Sequence, residues 1–98
     1  MIVKQHINQG RILLTICDDE VIGKKLEEGK KQLDLSADFF KGERKTEEEV
    51  KQLIKKAVFL NLNGEKAVAL GVELGFVDPE NILFISNVPH AECVVFIE

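Results

Sequence analysis

The stretch from residue 46 to residue 75, TEEEVKQLIKKAVFLNLNGEKAVALGVELG, decides the fold because it places a helix, a short strand and a second helix in succession. It opens with TEEE, the capping-box pattern in which Thr46 and Glu49 bond each other's backbone amides at a helix start. Apolar residues then recur at the i, i+3, i+4, i+7 spacing of one helix face: Val50, Leu53, Ile54 and Ala57. The pattern predicts an amphipathic helix that begins at Thr46.

The second half of this stretch predicts a buried strand followed by another helix. Residues 58–60, VFL, are a short apolar run, and residues 61–64, NLNG, supply turn and capping residues. From Glu65 to Leu74 the apolar residues leave almost no polar face, and Gly75 is placed to end the helix in the left-handed conformation. We expect this second helix to be largely buried.

Both ends of the chain predict strands. Residues 2–6 and 11–17 are β-branched, apolar runs separated by Asn8-Gln9-Gly10, a combination that predicts an opening β-hairpin. Towards the other end the pattern predicts a turn, a strand, a loop and a final strand, at residues 78–81, 82–85, 86–90 and 93–97.

The middle of the chain, residues 24–45, has the least regular pattern. The alternation Leu33-Asp34-Leu35 suits a strand, and Ser36 is placed to cap a short helical turn that anchors Phe39-Phe40. Lysines and an arginine crowd this region, but glutamates interrupt them, which favours a solvated face over a phosphate-binding one. Together the elements predict an α+β fold: a single small domain, 1–98, with a mixed, mostly antiparallel sheet, an N-terminal hairpin and two principal helices.

Composition limits the classes of protein to which the chain can belong. With 98 residues, 45% hydrophobic and 31% charged, it can bury one modest core. No apolar run approaches the roughly 20 residues that cross a bilayer, and Lys4 interrupts the N-terminus where a secretory signal would be apolar. Two cysteines and a net charge of −4 fit a cytoplasmic protein with free thiols and no general attraction to phosphate.

Few residues offer metal or nucleophilic chemistry. His6, Cys17, His90 and Cys93 are zinc-type ligands, but only His90 and Cys93 are close in sequence, so we predict no metal and no cofactor. Cys17 would be a nucleophile if a histidine activated it, yet the adjacent Asp18 raises a thiol pKa, which favours a packed cysteine.

The turn before the second helix is a candidate anion site. The free amides of a helix that begins after Asn63-Gly64 favour a phosphate or carboxylate, but the spacing of a phosphate-binding loop is missing. An asparagine cap followed by a turn glycine is the simpler interpretation.

Several short motifs, in order along nearly the whole chain, resemble an archaeal family of domains of unknown function, number four-two-four in that series. They are His6, Cys17-Asp18, Gly23-Lys24, Phe39-Phe40 with Gly42, Asn61-Leu62-Asn63-Gly64-Glu65 and Val88-Pro89-His90-Ala91. The chain departs from the family pattern at Glu92, where glutamine is expected, and at Asn63, where an apolar residue is more usual. The resemblance brings no established activity, substrate or cofactor, and implies only an association with translation.

The residues singled out by pattern and resemblance define a candidate functional surface: His6, Cys17, Asp18, Asn61, Gly64, Pro89 and His90. We expect the opening hairpin and the last strands to bring His6, Asp18 and His90 into one cleft. The leading hypothesis is a non-enzymatic accessory or binding domain that contacts RNA or a translation-related protein. The alternative is a small hydrolase or transferase that uses His6 or His90 as general acid or base, with Asp18 orienting it.

Overall fold

The computed structural model describes residues 1–95, and within them the chain forms eight strands, two α-helices and two single 3₁₀ turns. The strands are β1 (Ile2–Asn8), β2 (Arg11–Cys17), β3 (Lys25–Glu28), β4 (Lys31–Asp34), β5 (Glu43–Arg44), β6 (Phe59–Asn63), β7 (Leu83–Ile85) and β8 (Val88–Val94). The α-helices are α1 (Glu47–Ile54) and α2 (Glu65–Glu73), and the 3₁₀ turns are Asp38–Phe40 and Pro79–Asn81.

Six strands form one mixed sheet in the order β5-β1-β2-β6-β8-β7. β2 and β6 are parallel, and the crossover between them, residues 18–58, includes β3, β4, β5 and α1. The remaining pairs in this sheet are antiparallel. The predicted α+β fold, with a mostly antiparallel sheet and two principal helices, is confirmed.

The opening hairpin joins β1 and β2 through the two-residue turn Gln9-Gly10. Both turn residues have positive φ, 54° and 76°, as the tight turns that match strand twist require. The register pairs Ile2 with Cys17 and His6 with Leu13. The predicted hairpin is therefore present, and its first strand extends two residues beyond residue 6.

Both α-helices pack on one face of the six-stranded sheet and cover the main core. This face carries every second residue of the central strands, including Leu14, Ile16, Leu60 and Leu62, all fully buried. The helices contribute Val50 and Ile54 from α1 and Ala67, Val68 and Leu70 from α2. Helix α2 was expected to be largely buried, but its outer side, with Ala69 and Leu74, is exposed.

A small second layer covers one end of the opposite face of the sheet. It consists of the β3–β4 hairpin and the 3₁₀ turn Asp38–Phe40, whose apolar side chains pack on Cys17 at the end of β2. Val21, Leu35 and Phe40 are buried in this second cluster. The predicted strand is present but ends at Asp34, and the predicted helical turn around Phe39-Phe40 is present. The expectation that Ser36 caps this turn is wrong, because Ala37 is its N-cap residue and Ser36 N donates to Asp34 Oδ1 instead.

The expected loop over residues 86–90 is wrong. Ser86 and Asn87, with φ of 50° and 66°, make a two-residue hairpin turn, and β8 already begins at Val88. Pro89 has no N–H to donate, and it is tolerated because it pairs beyond the end of β6: the Gly64 carbonyl oxygen accepts from Val68 N at 3.0 Å, while the Pro89 carbonyl oxygen accepts from Gly64 N at 2.9 Å. The predicted strand 93–97 starts five residues late, and its last residues lie outside the described part of the chain.

None of the helices within residues 1–95 is long and apolar enough to cross a membrane.

Candidate functional site: a polar ring beside an apolar groove

The face of the sheet opposite the helices carries three rows of side chains that run across the strands. The β-strand alternation and the register place Cys17, Asn63 and His90 in one row. The next row holds Thr15, Asn61 and Glu92, and the third holds His6, Leu13, Phe59 and Val94. The first two rows are polar and the third is mainly apolar.

Four side chains of the two polar rows contact one another in a ring, which we call the polar ring: Asn61, Asn63, His90 and Glu92. Asn63 accepts from His90 Nδ1 at 2.7 Å and donates to Asn61 Oδ1 at 2.8 Å. Asn61 Nδ2 donates to Glu92 Oε1 at 3.5 Å, and His90 Nε2 lies 3.4 Å from that same oxygen. Three of these contacts are hydrogen bonds that link strands β6 and β8, and the fourth, between His90 and Glu92, is an ion pair only when His90 is protonated.

The surroundings of Asn63 fix the amide and histidine orientations in the ring. Its Nδ2 faces the carbonyl oxygens of Ile16 and Asn61 at 3.4 Å as well as Asn61 Oδ1, so this end must be the donor. Asn63 Oδ1 is then an acceptor towards His90, which must carry a hydrogen on Nδ1. His90 Nε2 is left facing Glu92 and the solvent side of the ring.

Cys17 lies beside Asn63 of the polar ring, on the neighbouring strand, but it is a poor nucleophile. Its side chain is fully buried, and Asn63 Nδ2 lies 3.6 Å from its Sγ. Burial, opposed by the Asn63 hydrogen bond and assisted by the Asp18 charge, raises the pKa of the Cys17 thiol to about 12. At neutral pH the residue is a protonated thiol that packs in the second cluster.

Asp18 serves the start of α2. Its carboxylate is buried and accepts from the backbone amides of Lys66 and Ala67, both at 2.8 Å. The suggested anion site at this helix start is therefore filled by the chain's own carboxylate. The expectation that Asn63 caps the helix is also wrong, because Gly64 occupies the N-cap position and the Asn63 side chain turns back onto the sheet.

Gly64 and Pro89 lie next to Asp18 where helix α2 begins. Gly64 has φ +106°, and a Cβ there would lie 2.5 Å from the Asp18 carboxyl carbon, so a side chain would displace the carboxylate from the helix. The hydrogen bond from Gly64 N to Pro89 O ties the start of α2 to β8. Both residues shape the backbone around the ring.

His6 does not join the other predicted residues. Its Nε2 bonds the carbonyl oxygen of Phe39 at 2.9 Å, and its ring stacks on the Phe39 ring with centroids 4.3 Å apart. β1 lies three strands from β8, which corresponds to about 14 Å between His6 and His90 across the sheet alone. The expected cleft shared by His6, Asp18 and His90 is wrong; the structure joins Cys17, Asn61 and His90 instead.

An apolar groove of about 420 Å³ lies next to the polar ring on the uncovered end of this face. Its lining, which defines what we call the groove, is Leu13, Phe39, Phe59, Leu60, Asn61, Glu92, Cys93 and Val94. Phe39, Phe59 and Val94 are 40%, 40% and 47% exposed, which is high for large apolar side chains. Asn61 and Glu92 belong both to the ring and to the groove, so one end of the groove is polar.

Sequence reasoning missed Phe59 and Glu92 as site residues. The alternation of Phe59, Asn61 and Asn63 along a strand was a usable signal, because it places an exposed aromatic ring and two amides on the same face. Glu92 had no local signal, since it reaches the site only through the pairing of β8 with β6.

Metal-ligand clusters are missing from the described part of the chain: no three side chains among His, Cys, Asp and Glu in residues 1–95 converge on one point. Cys93 lies in the same strand as His90. Because side chains alternate along a strand and these two residues are three positions apart, their side chains project from opposite faces of the sheet.

Comparison with known proteins identifies the family and the fold. None of the curated proteins matches the chain. A crystal structure of an uncharacterized conserved protein from Methanopyrus kandleri is similar, with 22% sequence identity and a TM-score of 0.77 over 99% of this chain and 96% of that one. This likeness shows that the two proteins share a fold. A family model matches residues 6–96, nearly the whole chain, and the protein therefore belongs to the family described as Protein of unknown function (DUF424).

Proposed function

We propose that this protein is a non-enzymatic binding domain whose groove receives a segment of a protein partner. The observation that carries the proposal is the exposure of Phe39, Phe59 and Val94 around one cavity. Aromatic side chains that line a concave, partly apolar surface are typical of the anchoring centre of protein interfaces. The volume, about 420 Å³, lies in the lower part of the range for ligand sites, roughly 300–1,000 Å³, and fits one or two side chains.

Charge favours a protein segment over RNA as the occupant. The chain carries a net charge of −4, and Glu92 sits in the groove itself. Four of the seven basic side chains in the 24–45 region lie within 4 Å of an acid: Lys31 with Glu28, Lys41 with Asp38, Arg44 with Asp19 and Lys45 with Glu43. A nucleic-acid surface needs several unpaired cations around its phosphates.

The enzyme alternative has less support because its reactive groups are engaged elsewhere. Both Asp18 oxygens accept from helix amides, and His6 bonds and stacks on Phe39. The raised pKa of Cys17 leaves no thiolate at neutral pH. His90, with its tautomer held by Asn63, and the neighbouring Glu92 remain as candidate proton-transfer groups on this face, but no hydroxyl or thiolate nucleophile contacts them within residues 1–95.

We also propose that the protein acts in the cytoplasm, where free cysteines such as Cys17 and Cys93 stay reduced. The association with translation, implied by the family resemblance, makes ribosomal and translation proteins the first partners to test.

A peptide selection tests the binding function directly. Purified protein is used to select from a phage-displayed random-peptide library, and the enriched peptides are titrated into wild type and into Phe59→Ala. We expect enriched peptides that shift the amide resonances of the groove and bind Phe59→Ala at least about tenfold more weakly, because truncating an anchoring aromatic costs about 2 kcal/mol or more.

The matched control is Phe84→Ala. Phe84 is 51% exposed on β7 and faces the opposite side of the sheet, so its truncation removes a similar apolar surface away from the groove. Peptide binding should be unchanged in this variant. Absence of enrichment, or equal loss in both variants, would refute the groove as a protein-binding site. Enrichment of RNA but not peptide by the same immobilised protein would replace this proposal with RNA binding.

A further inference from the structure

We infer that the groove receives an arginine side chain of the partner, with the guanidinium on Glu92 and the methylene stem on Phe59. This inference rests on the proposed function and specifies its ligand. It follows from three features of the site: a hydrogen-bonded carboxylate, an unmatched acceptor on His90, and an apolar path that leads to both.

The first feature is the Glu92 carboxylate, which is exposed and accepts a hydrogen bond from Asn61. Its side chain is 69% exposed, while Asn61 Nδ2 and His90 Nε2 both approach a single oxygen, Oε1. Both contacts found within residues 1–95 use Oε1, and the Glu92 side chain lines the groove, so a further donor in the groove has Oε2 to bind. A carboxylate that already accepts one hydrogen bond, here from Asn61, loses less conformational entropy when a cation binds.

The second feature is the pairing of two acceptors. Because Asn63 takes the hydrogen of His90 Nδ1, Nε2 of the neutral ring is an acceptor, and it lies 3.4 Å from Glu92 Oε1. Neither atom can donate to the other in that state. A guanidinium offers five N–H donors in a planar fork, which can serve both the imidazole nitrogen and the carboxylate.

The third feature is the apolar length of the groove. Phe59 is diagonal to Glu92 across the β6–β8 pair, a relationship that places the two residues about 7–8 Å apart, within reach of an aromatic side chain. Leu13 and Val94 flank Phe59 on the two neighbouring strands and widen the apolar surface. Arginine combines an apolar stem with a charged planar head that stacks on aromatic rings, and it matches an apolar path ending at a carboxylate better than lysine does.

The experiment uses single-residue probes, so that its result does not depend on finding the natural partner. N-acetylarginine amide and the uncharged isostere N-acetylcitrulline amide are titrated into labelled protein and followed by NMR. We expect the arginine compound to shift the resonances of Phe59, Glu92 and the His90 ring. The citrulline compound should bind at least about tenfold more weakly, since it lacks the charge-assisted pair with Glu92.

Two variants locate the interaction. Glu92→Gln keeps the size and an acceptor oxygen but removes the charge, and it should weaken arginine binding at least about tenfold. Glu73→Gln removes the same charge from the exposed side of α2, on the opposite side of the sheet, and should leave binding unchanged.

Equal affinity for the arginine and citrulline compounds, or unchanged affinity in Glu92→Gln, would overturn the inference. It would also be overturned by library peptides that need Phe59 yet carry no arginine, an outcome that leaves the proposed binding function intact. Conversely, suppose that the library yields no binder while the arginine compound still binds wild type more tightly than Glu92→Gln. The arginine site then stands and the protein-binding function fails.

Discussion

At the scale of single residues, Asp18 and Gly64 together determine how helix α2 begins. They are far apart in sequence, but the parallel pairing of β2 with β6 brings the ends of both strands together. Asp18 then takes the place of a local cap and bonds two amides of the first helical turn. Gly64 is the residue type that leaves room for it, both in conformation and in space. The sequence marked both residues as unusual without revealing that they contact each other.

Substitution of Gly64 by alanine should destabilise the protein by about 2–4 kcal/mol, because the new Cβ meets the Asp18 carboxyl group while the backbone holds a conformation that L-residues rarely adopt. Gly75→Ala is the matched control: its φ is +83°, but a Cβ there meets no atom within 4 Å. We expect about 1 kcal/mol for this backbone strain alone. Urea unfolding followed by far-UV circular dichroism measures both losses, and equal values would show that the Asp18 contact contributes nothing.

At the scale of elements, local sequence signals were accurate where they were self-contained. Helix α1 starts where its capping box predicted, because both bonds form within four residues: Glu49 N donates to Thr46 Oγ1 at 3.2 Å and Thr46 N donates to Glu49 Oε1 at 3.0 Å. The start of β8 was misplaced because Pro89 and His90 resemble loop residues. Their strand conformation depends on pairing with β6 and β7, which no short pattern encodes.

The capping box of α1 should make stability depend on pH in the acidic range. The backbone and side-chain hydrogen bonds with Thr46 hold the pKa of Glu49 below its usual value of about 4.3. Since the folded-state pKa is lower than the unfolded-state pKa, the ionised Glu49 contributes stability above the unfolded-state pKa. That contribution is lost as pH falls through the folded-state pKa.

We therefore expect Glu49→Gln to be less stable than wild type at neutral pH and to lose this difference as pH drops below about 4. Glu47→Gln removes a neighbouring first-turn charge but leaves the capping box intact, so it should show a smaller pH-dependent difference. Thr46→Ala, which removes the hydroxyl acceptor, should cost about 1 kcal/mol at neutral pH. Parallel pH profiles for the two glutamine variants would assign the effect to the helix dipole alone.

At the scale of the whole molecule, one sheet separates a structural face from a recognition face. The helices cover the first, while the β3–β4 hairpin and the turn Asp38–Phe40 cover only one end of the second. The sequence predicted the α+β class, the hairpin and both helices, since these depend on periodicity and turn residues. It did not predict the polar ring or the groove, because both arise where β6 and β8 pair across about thirty intervening residues.

Cys17 reports whether the partial second layer stays closed. Its thiol lies under Val21, Leu35 and Phe40 with no exposed surface, and burial raises its pKa, so alkylation requires both opening and ionisation. In a Cys93→Ala background we expect native Cys17 to resist iodoacetamide at neutral pH and to react only in proportion to transient unfolding.

Phe40→Ala should open this layer while the six-stranded sheet persists, because Phe40 belongs to the second cluster and not to the main core. Mass spectrometry across a urea series should then detect Cys17 alkylation at lower urea than the loss of far-UV circular dichroism, whereas the two transitions coincide in the Cys93→Ala background alone. Val50→Ala is the control, since Val50 is fully buried in the main core and its truncation should shift both transitions together. Rapid alkylation of Cys17 in the Cys93→Ala protein with Phe40 intact would mean that the second layer opens freely. The recognition face would then extend beyond the groove, along the row of Cys17, Asn63 and His90.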